Sequence, residues 1–183
     1  MRPVGRFAFP ALALLSLLIS GVASSPAQAV DGASGLPLPR FATTRSNPIN
    51  VRVGPGTRYD MAWKYLKPGV PVEIVQEFDT WRKIRDLDGS EGWVHQNLLS
   101  GRRAAYVAAE SAAEPVPLLS GESDTAGIRA YLPAKFRVDI KECNGQWCEV
   151  SATDHNQSGH TTTYTGYLKQ AALWGVYRDE NFD

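Results

Sequence analysis

The chain has 183 residues, with 19 Lys+Arg balanced by 19 Asp+Glu, 43% hydrophobic residues and only two cysteines. A formal net charge of zero argues against nucleic acid as a partner, because phosphate binding requires a basic surface. The length suits one medium domain or two small ones.

The first 29 residues read as a targeting segment. Arg2 and Arg6 give a basic start, Phe7 to Val22 is almost wholly apolar, and Ala27-Gln28-Ala29 has the small-x-small pattern of a signal-peptidase site. The alternative is a membrane anchor. However, the apolar run is about sixteen residues, interrupted by Pro10, and falls short of the roughly 20 needed to span a bilayer. The expectation is cleavage after Ala29 and a periplasmic or secreted product with no membrane span. Without Arg2 and Arg6 that product carries 17 basic residues against 19 acids, a formal charge of −2.

Residues 30–40 are rich in Gly, Pro and Ser and are predicted to form a flexible leader. Folded structure is expected from Phe41. A motif then runs Asn50-Val-Arg-Val-Gly-Pro-Gly-Thr-Arg-Tyr-Asp60, followed by Val72-Glu-Ile-Val75, Thr80-Trp-Arg-Lys-Ile84 and Glu91-Gly-Trp-Val94. Val70, Val72 and Ile74 alternate with other residues at the period of a strand. Gly54-Pro55-Gly56 supplies a tight turn. Gly92 before Trp93 suits a strand that bends sharply.

The same pattern recurs downstream. Phe136, Val138 and Ile140 alternate as Val70, Val72 and Ile74 do, and Trp147 then falls where Trp81 does. Gly166-Tyr167-Leu168 matches Gly92-Trp93-Val94. This predicts an internal duplication of roughly 65 residues, with units at 41–101 and 106–177 and a short tail at 178–183. Arg102 to Glu114 is Ala-rich and allows a helical turn, but Tyr106-Val107-Ala108 is expected to open the second unit as a strand.

The alignment sets Cys143 on Glu77 and Cys148 on Arg82. An ion pair across the first hairpin would thus be replaced by a disulfide in the second, as an even cysteine count in an exported chain suggests. Zinc is the alternative, with His155 and His160 nearby, although the spacing is unlike a finger's. The disulfide carries a condition. Ile140 and Val150 on one core face put the two cysteines on opposite faces, so a β-bulge near Glu142 is required.

The run Val51-Arg-Val-Gly-Pro-Gly-Thr-Arg-Tyr-Asp60, with Trp-Arg-Lys-Ile and Gly-Trp-Val after it, resembles the bacterial SH3-like domain. The second unit resembles the exported proteobacterial tandem form more weakly, through Trp147-Cys-Glu-Val150 and Ala172-Leu-Trp-Gly-Val-Tyr177. The resemblance implies an all-β fold of two tandem small SH3-like barrels. It also implies binding of cell-wall peptides or other envelope components without catalysis.

Candidate ligand residues are Tyr59, Asp60, Trp63, Tyr65, Asp79 and Trp81. Together they would make an aromatic-walled groove with carboxylates for cationic or amide groups; alternatively Tyr59 and Trp63 merely cover the open end of the barrel. Trp81 and Ile84 are three apart, so they face opposite sides of a regular strand, as do Trp147 and Val150. The two tryptophans therefore lie outside the core, either on a binding face or between the units. Trp93 is expected in the core or barrel closure, and His95 on the surface. Ser151 to Thr165 reads as a long polar loop, a carrier of specificity or a disordered tip. Asn156-Gln157-Ser158 is formally a glycosylation sequon.

No cofactor, metal or catalytic residue is expected. The cysteines read as oxidised, and no nucleophile elbow, His-Glu-x-x-His or phosphate-cradling glycine loop is present. The leading expectation is recognition of peptidoglycan stem peptides or another cell-wall ligand. The alternative is a protein-interaction or scaffold role on an envelope protein, and the sequence leaves the oligomeric state open.

Overall fold

The computed structural model describes residues 30–46, 48–108, 114–155 and 159–183. The proposed signal peptide and the sequon lie outside the described residues. Among those described, no helix is long and apolar enough to cross a membrane.

The architecture is all-β. A hairpin of β1 (Val30–Asp31) and β2 (Pro37–Leu38) comes first. Next come β3 (Arg40–Thr44), β4 (Ile49–Arg52), β5 (Met61–Tyr65), β6 (Pro71–Phe78), β7 (Trp81–Arg85), β8 (Glu91–His95), the 3-10 turn η1 (Gln96–Leu98) and β9 (Leu99–Ser100). The remainder is β10 (Ala104–Val107), β11 (Val116–Leu119), β12 (Ile128–Leu132), β13 (Arg137–Asn144), β14 (Trp147–His155), β15 (Thr161–Lys169), the 3-10 turn η2 (Gln170–Ala172), β16 (Leu173–Trp174) and β17 (Asn181–Phe182). One antiparallel sheet has the order β5-β4-β8-β7-β6-β3-β9. The other has the order β12-β11-β15-β14-β13-β10-β16, with β17 added beside β13.

Position by position the two orders coincide. Each sheet folds around its own apolar cluster: Ile49, Val51, Val72, Ile74, Ile84 and Val94 in the first, Leu118, Val138, Ile140, Val150 and Leu168 in the second. Backbone details repeat too. Gly69 and Lys135 both have positive φ, as do Asp79 and Gly145.

The bulge that the cysteines demanded is present. Pairing of β13 with β14 shifts register between Ile140 and Glu142, which brings Cys143 directly opposite Cys148, and the two form a disulfide. One extra residue reverses the inside-outside parity of everything beyond it. The first sheet shifts at the same place, between Ile74 and Gln76, and sets Glu77 opposite Arg82. There the pair is ionic, with Arg82 Nε 3.2 Å from Glu77 Oε1. Closing so short a loop, five residues apart in sequence, stabilises by about 2 kcal/mol in the chain-entropy account. A Cys143→Ser, Cys148→Ser variant is expected to lose that much in urea titration. An unchanged midpoint would show the bond to be energetically idle.

Residues 30–40 are not a loose leader. Ser34 donates from its backbone N and its hydroxyl to Glu77, each at 2.7 Å, and Leu38 packs on the first core. The Gly/Ser composition that suggested flexibility instead permits close approach: a Cβ on Gly32 would lie 2.7 Å from Glu77 Oε2. The tail of the chain does the same for the second sheet. β17 pairs Phe182 with Cys143, and Arg103 Nη2 donates to Glu180 at 2.8 Å.

The long polar loop is likewise largely strand. Pairing of β14 with β15 runs unbroken from Trp147↔Lys169 to His155↔Thr161. Facing threonines bond across the ribbon, Thr153 to Thr163 at 3.1 Å. Tyr106 lies on a strand, as expected, although that strand begins at Ala104.

The two sheets meet at a packed joint. Phe41 stands edge-on to Trp174 with ring centroids 5.2 Å apart and tilts against Tyr177 at 4.8 Å. The Tyr177 hydroxyl donates to Glu73 Oε1 at 2.8 Å, while Arg85 Nη2 donates to the other oxygen at 2.6 Å. Arg137 Nε reaches the Gly69 carbonyl at 2.6 Å, and Lys135 pairs with Asp88 at 2.7 Å.

Candidate functional site

The six candidate residues of the first sheet separate into three places. Trp63 and Tyr65 turn inward: they pair with Val51 and Ile49, share the face of those fully buried residues, and pack against the core. Their rings meet edge-on at 6.2 Å. Burial is the main cause pushing the Tyr65 hydroxyl up to about 12. Tyr59 folds over the Gly-Pro-Gly turn so closely that a Cβ on Gly54 would lie 2.5 Å from its ring. Its carbonyl accepts from Arg52 Nη1 at 2.6 Å. Asp60 beside it is exposed.

Asp79 and Trp81 remain together on the β6–β7 hairpin. Asp79 takes positive φ at the turn, and its carbonyl accepts from Arg82 Nη1 at 2.8 Å. Trp81 lies outside the core, as the three-residue spacing from Ile84 required. It does not lie in the joint between the sheets. Its ring stands edge-on to His95 at 5.7 Å, and exposed Phe78 is its cross-strand neighbour. His95 Nδ1 accepts the Asn97 N–H at 3.3 Å, which fixes the imidazole at the start of η1. Trp93 is buried, as expected of the closing strand.

The family model of the bacterial SH3 domain matches residues 45–101. That stretch is a bacterial SH3 domain. The domain contains every ligand candidate read from the sequence, and β10 to β17 lie beyond the match. No curated protein matches the chain. Two solved structures, NlpC2 and NlpC1 from Trichomonas vaginalis, are similar at 14% and 17% identity. The similarity covers 79% and 87% of this chain and 51% and 50% of theirs, with TM-scores of 0.32 and 0.31. The chain thus spans about half the length of those two proteins, and so slight a likeness carries no argument about activity.

Outside the SH3 domain, the place equivalent to Trp81 holds Trp147. Asn144 Oδ1 accepts from the backbone N–H groups of Gln146 and Trp147 at 3.0 and 2.8 Å, which fixes the turn leading into β14. Lys169, opposite Trp147 in register, takes the place of His95, with its ammonium 5.8 Å from the indole centroid. Trp147 borders an open cleft of ≈ 460 Å³ with Asp124, Lys169, Arg178 and Asp179 along its sides. Trp147 also borders a second hollow of ≈ 180 Å³. Trp147 was placed outside the core by its spacing from Val150. The charged residues around it come from three distant segments and had no signal in local sequence.

Proposed function

We propose that the protein is a non-catalytic binding protein of the cell envelope, built of two tandem SH3-like barrels over 41–101 and 106–177, and that it recognises cell-wall peptides after export. The coincidence of strand order and bulge position supports reading the second sheet as a divergent copy of the SH3 domain. One observation carries the binding assignment. Each sheet presents a tryptophan outward at the same register, Trp81 and Trp147, beside a basic or titratable partner, His95 or Lys169. A large aromatic left half-exposed at a concave surface is a common anchor for a ligand.

The test is co-sedimentation with purified peptidoglycan sacculi. The protein is expected to pellet with them. Trp147→Ala and Trp81→Ala are expected to weaken retention, the stronger of the two by about tenfold. A wild-type protein that stays in the supernatant sinks the envelope reading. Release of soluble muropeptides sinks the non-catalytic part.

A further inference from the structure

We infer that the cleft beside Trp147 binds the end of a short peptide bearing both a free carboxylate and a free ammonium, an inference that rests on the envelope-binding reading above. The argument starts from the charges that border it. Lys169 is already neutralised by Asp124 at 2.6 Å. Arg178 and Asp179, on the turn that carries the tail toward β17, have no hydrogen-bond or ion-pair partner among the described residues. One cation and one anion are therefore held uncommitted at the rim of a single cleft.

An ion of one sign would meet an opposing charge as readily as an attracting one. A zwitterion satisfies both. A guanidinium suits a carboxylate because its planar fork donates two parallel hydrogen bonds, and Asp179 can accept from an ammonium. The indole of Trp147 lines the same cleft and offers an apolar surface for the aliphatic body of the ligand. The volume, ≈ 460 Å³, is within the range of small-ligand sites.

The equivalent place in the SH3 domain lacks these parts. There Trp81 is covered edge-on by His95, and no chain segment follows β9 to supply a second wall, because the chain passes on into β10. In the second sheet Val176 packs into the core, and Gln170, itself buried, donates to the carbonyls of Tyr177 and Glu180 at 2.5 and 2.8 Å. Those two bonds bracket Arg178 and Asp179 and fix the turn that presents them.

The probe is alanyl-alanine, compared with its N-acetylated and C-amidated forms, by chemical-shift titration of the protein. Saturable shifts are expected at Gly145, Gln146, Lys169 and the Trp147 indole, and capping either end is expected to weaken binding tenfold or more. Arg178→Gln should abolish the preference for the free carboxylate, and Asp179→Asn the preference for the free ammonium. Neither substitution removes a hydrogen bond or ion pair among the described residues. Equal binding of free and capped dipeptides, shifts centred on Trp81, or no saturable shift overturns the inference. Sedimentation with sacculi separates the two claims. Wild-type retention unchanged by Arg178→Gln overturns the cleft and leaves envelope binding standing. No retention of the wild type overturns envelope binding, and the dipeptide titration then decides the cleft alone.

Discussion

Glu77→Ala is expected to destabilise the protein by about 3 kcal/mol at neutral pH and to flatten its loss of stability in acid. The Glu77 side chain is 1% exposed yet ionised. Burial by itself would raise its carboxyl. The Arg40 hydrogen bond at 2.6 Å and the two from Ser34 overcome this and hold the group down at about 2. The folded value lies below the ordinary 4.5, so the stabilisation is complete above about pH 5. It is lost as pH falls through 4.5 toward 2, on the order of 3 kcal/mol in all. Removing the carboxylate also deprives Arg40 and Arg82 of their ionic partner, although Arg40 keeps the Pro37 carbonyl. Arg82 retains the carbonyls of Asp79 and Trp81 and the Gln96 side chain, which keeps the penalty at the lower end for a broken buried pair. Urea titrations at pH 7 and pH 3 provide the check. A variant whose stability falls as steeply in acid as the wild type would refute the assignment.

Gly166→Ala is expected to cost about 3 kcal/mol, at the upper end for overpacking, and to lower Tm by roughly 6–12 °C for a chain of this size. The reason is where β15 crosses β11. The two strands share one pairing, Leu119↔Tyr167, and a Cβ on Gly166 would sit well under 3.0 Å from the Leu119 carbonyl oxygen. A backbone atom cannot rotate away, so the strands must part. Gly92 occupies the same place in the SH3 domain, but there the nearest atom belongs to the Val51 side chain, at 2.5 Å, and the nearest backbone atom, the Arg52 carbonyl oxygen, stands farther off at 3.1 Å. Gly92→Ala is therefore expected to cost less, about 1–2 kcal/mol. Thermal melts that reverse this order would show that the strand crossing is not the constraint.

Much of this was legible because β-structure writes its rules locally. The period of Val72-Ile74 and Val138-Ile140 located the strands. The spacing of Trp81 from Ile84 and of Trp147 from Val150 placed both tryptophans outside the core. The cysteines even required the bulge before Glu142, since parity along a strand admits no other way for them to meet. Alternation alone does not say which of a strand's two faces turns inward. Trp63 and Tyr65 read as groove walls, and only their register with Val51 and Ile49 shows that they sit, half-buried, on the core side of their strand. Composition also misled where distant segments interact. Residues 30–40 have the makeup of a linker, yet they fold because Glu77, about forty positions later, accepts from Ser34. Residues 178–183 read only as a short tail, whereas Gln170 and β17 hold that tail against the second sheet.

The joint built from Phe41, Trp174, Tyr177 and Glu73 has a bearing on valency. Two modules on a soft tether meet a second copy of their ligand at an effective concentration set by the tether's length, and tolerate a range of spacings. Here a ring cluster and a carboxylate engaged from both sheets oppose independent motion of the Trp81 and Trp147 faces. If both faces bind the cell wall, as proposed above, their simultaneous engagement then depends on the interval between the groups they recognise. A matching spacing gains the full avidity with no tether entropy to overcome, and a mismatched one leaves only the stronger face bound.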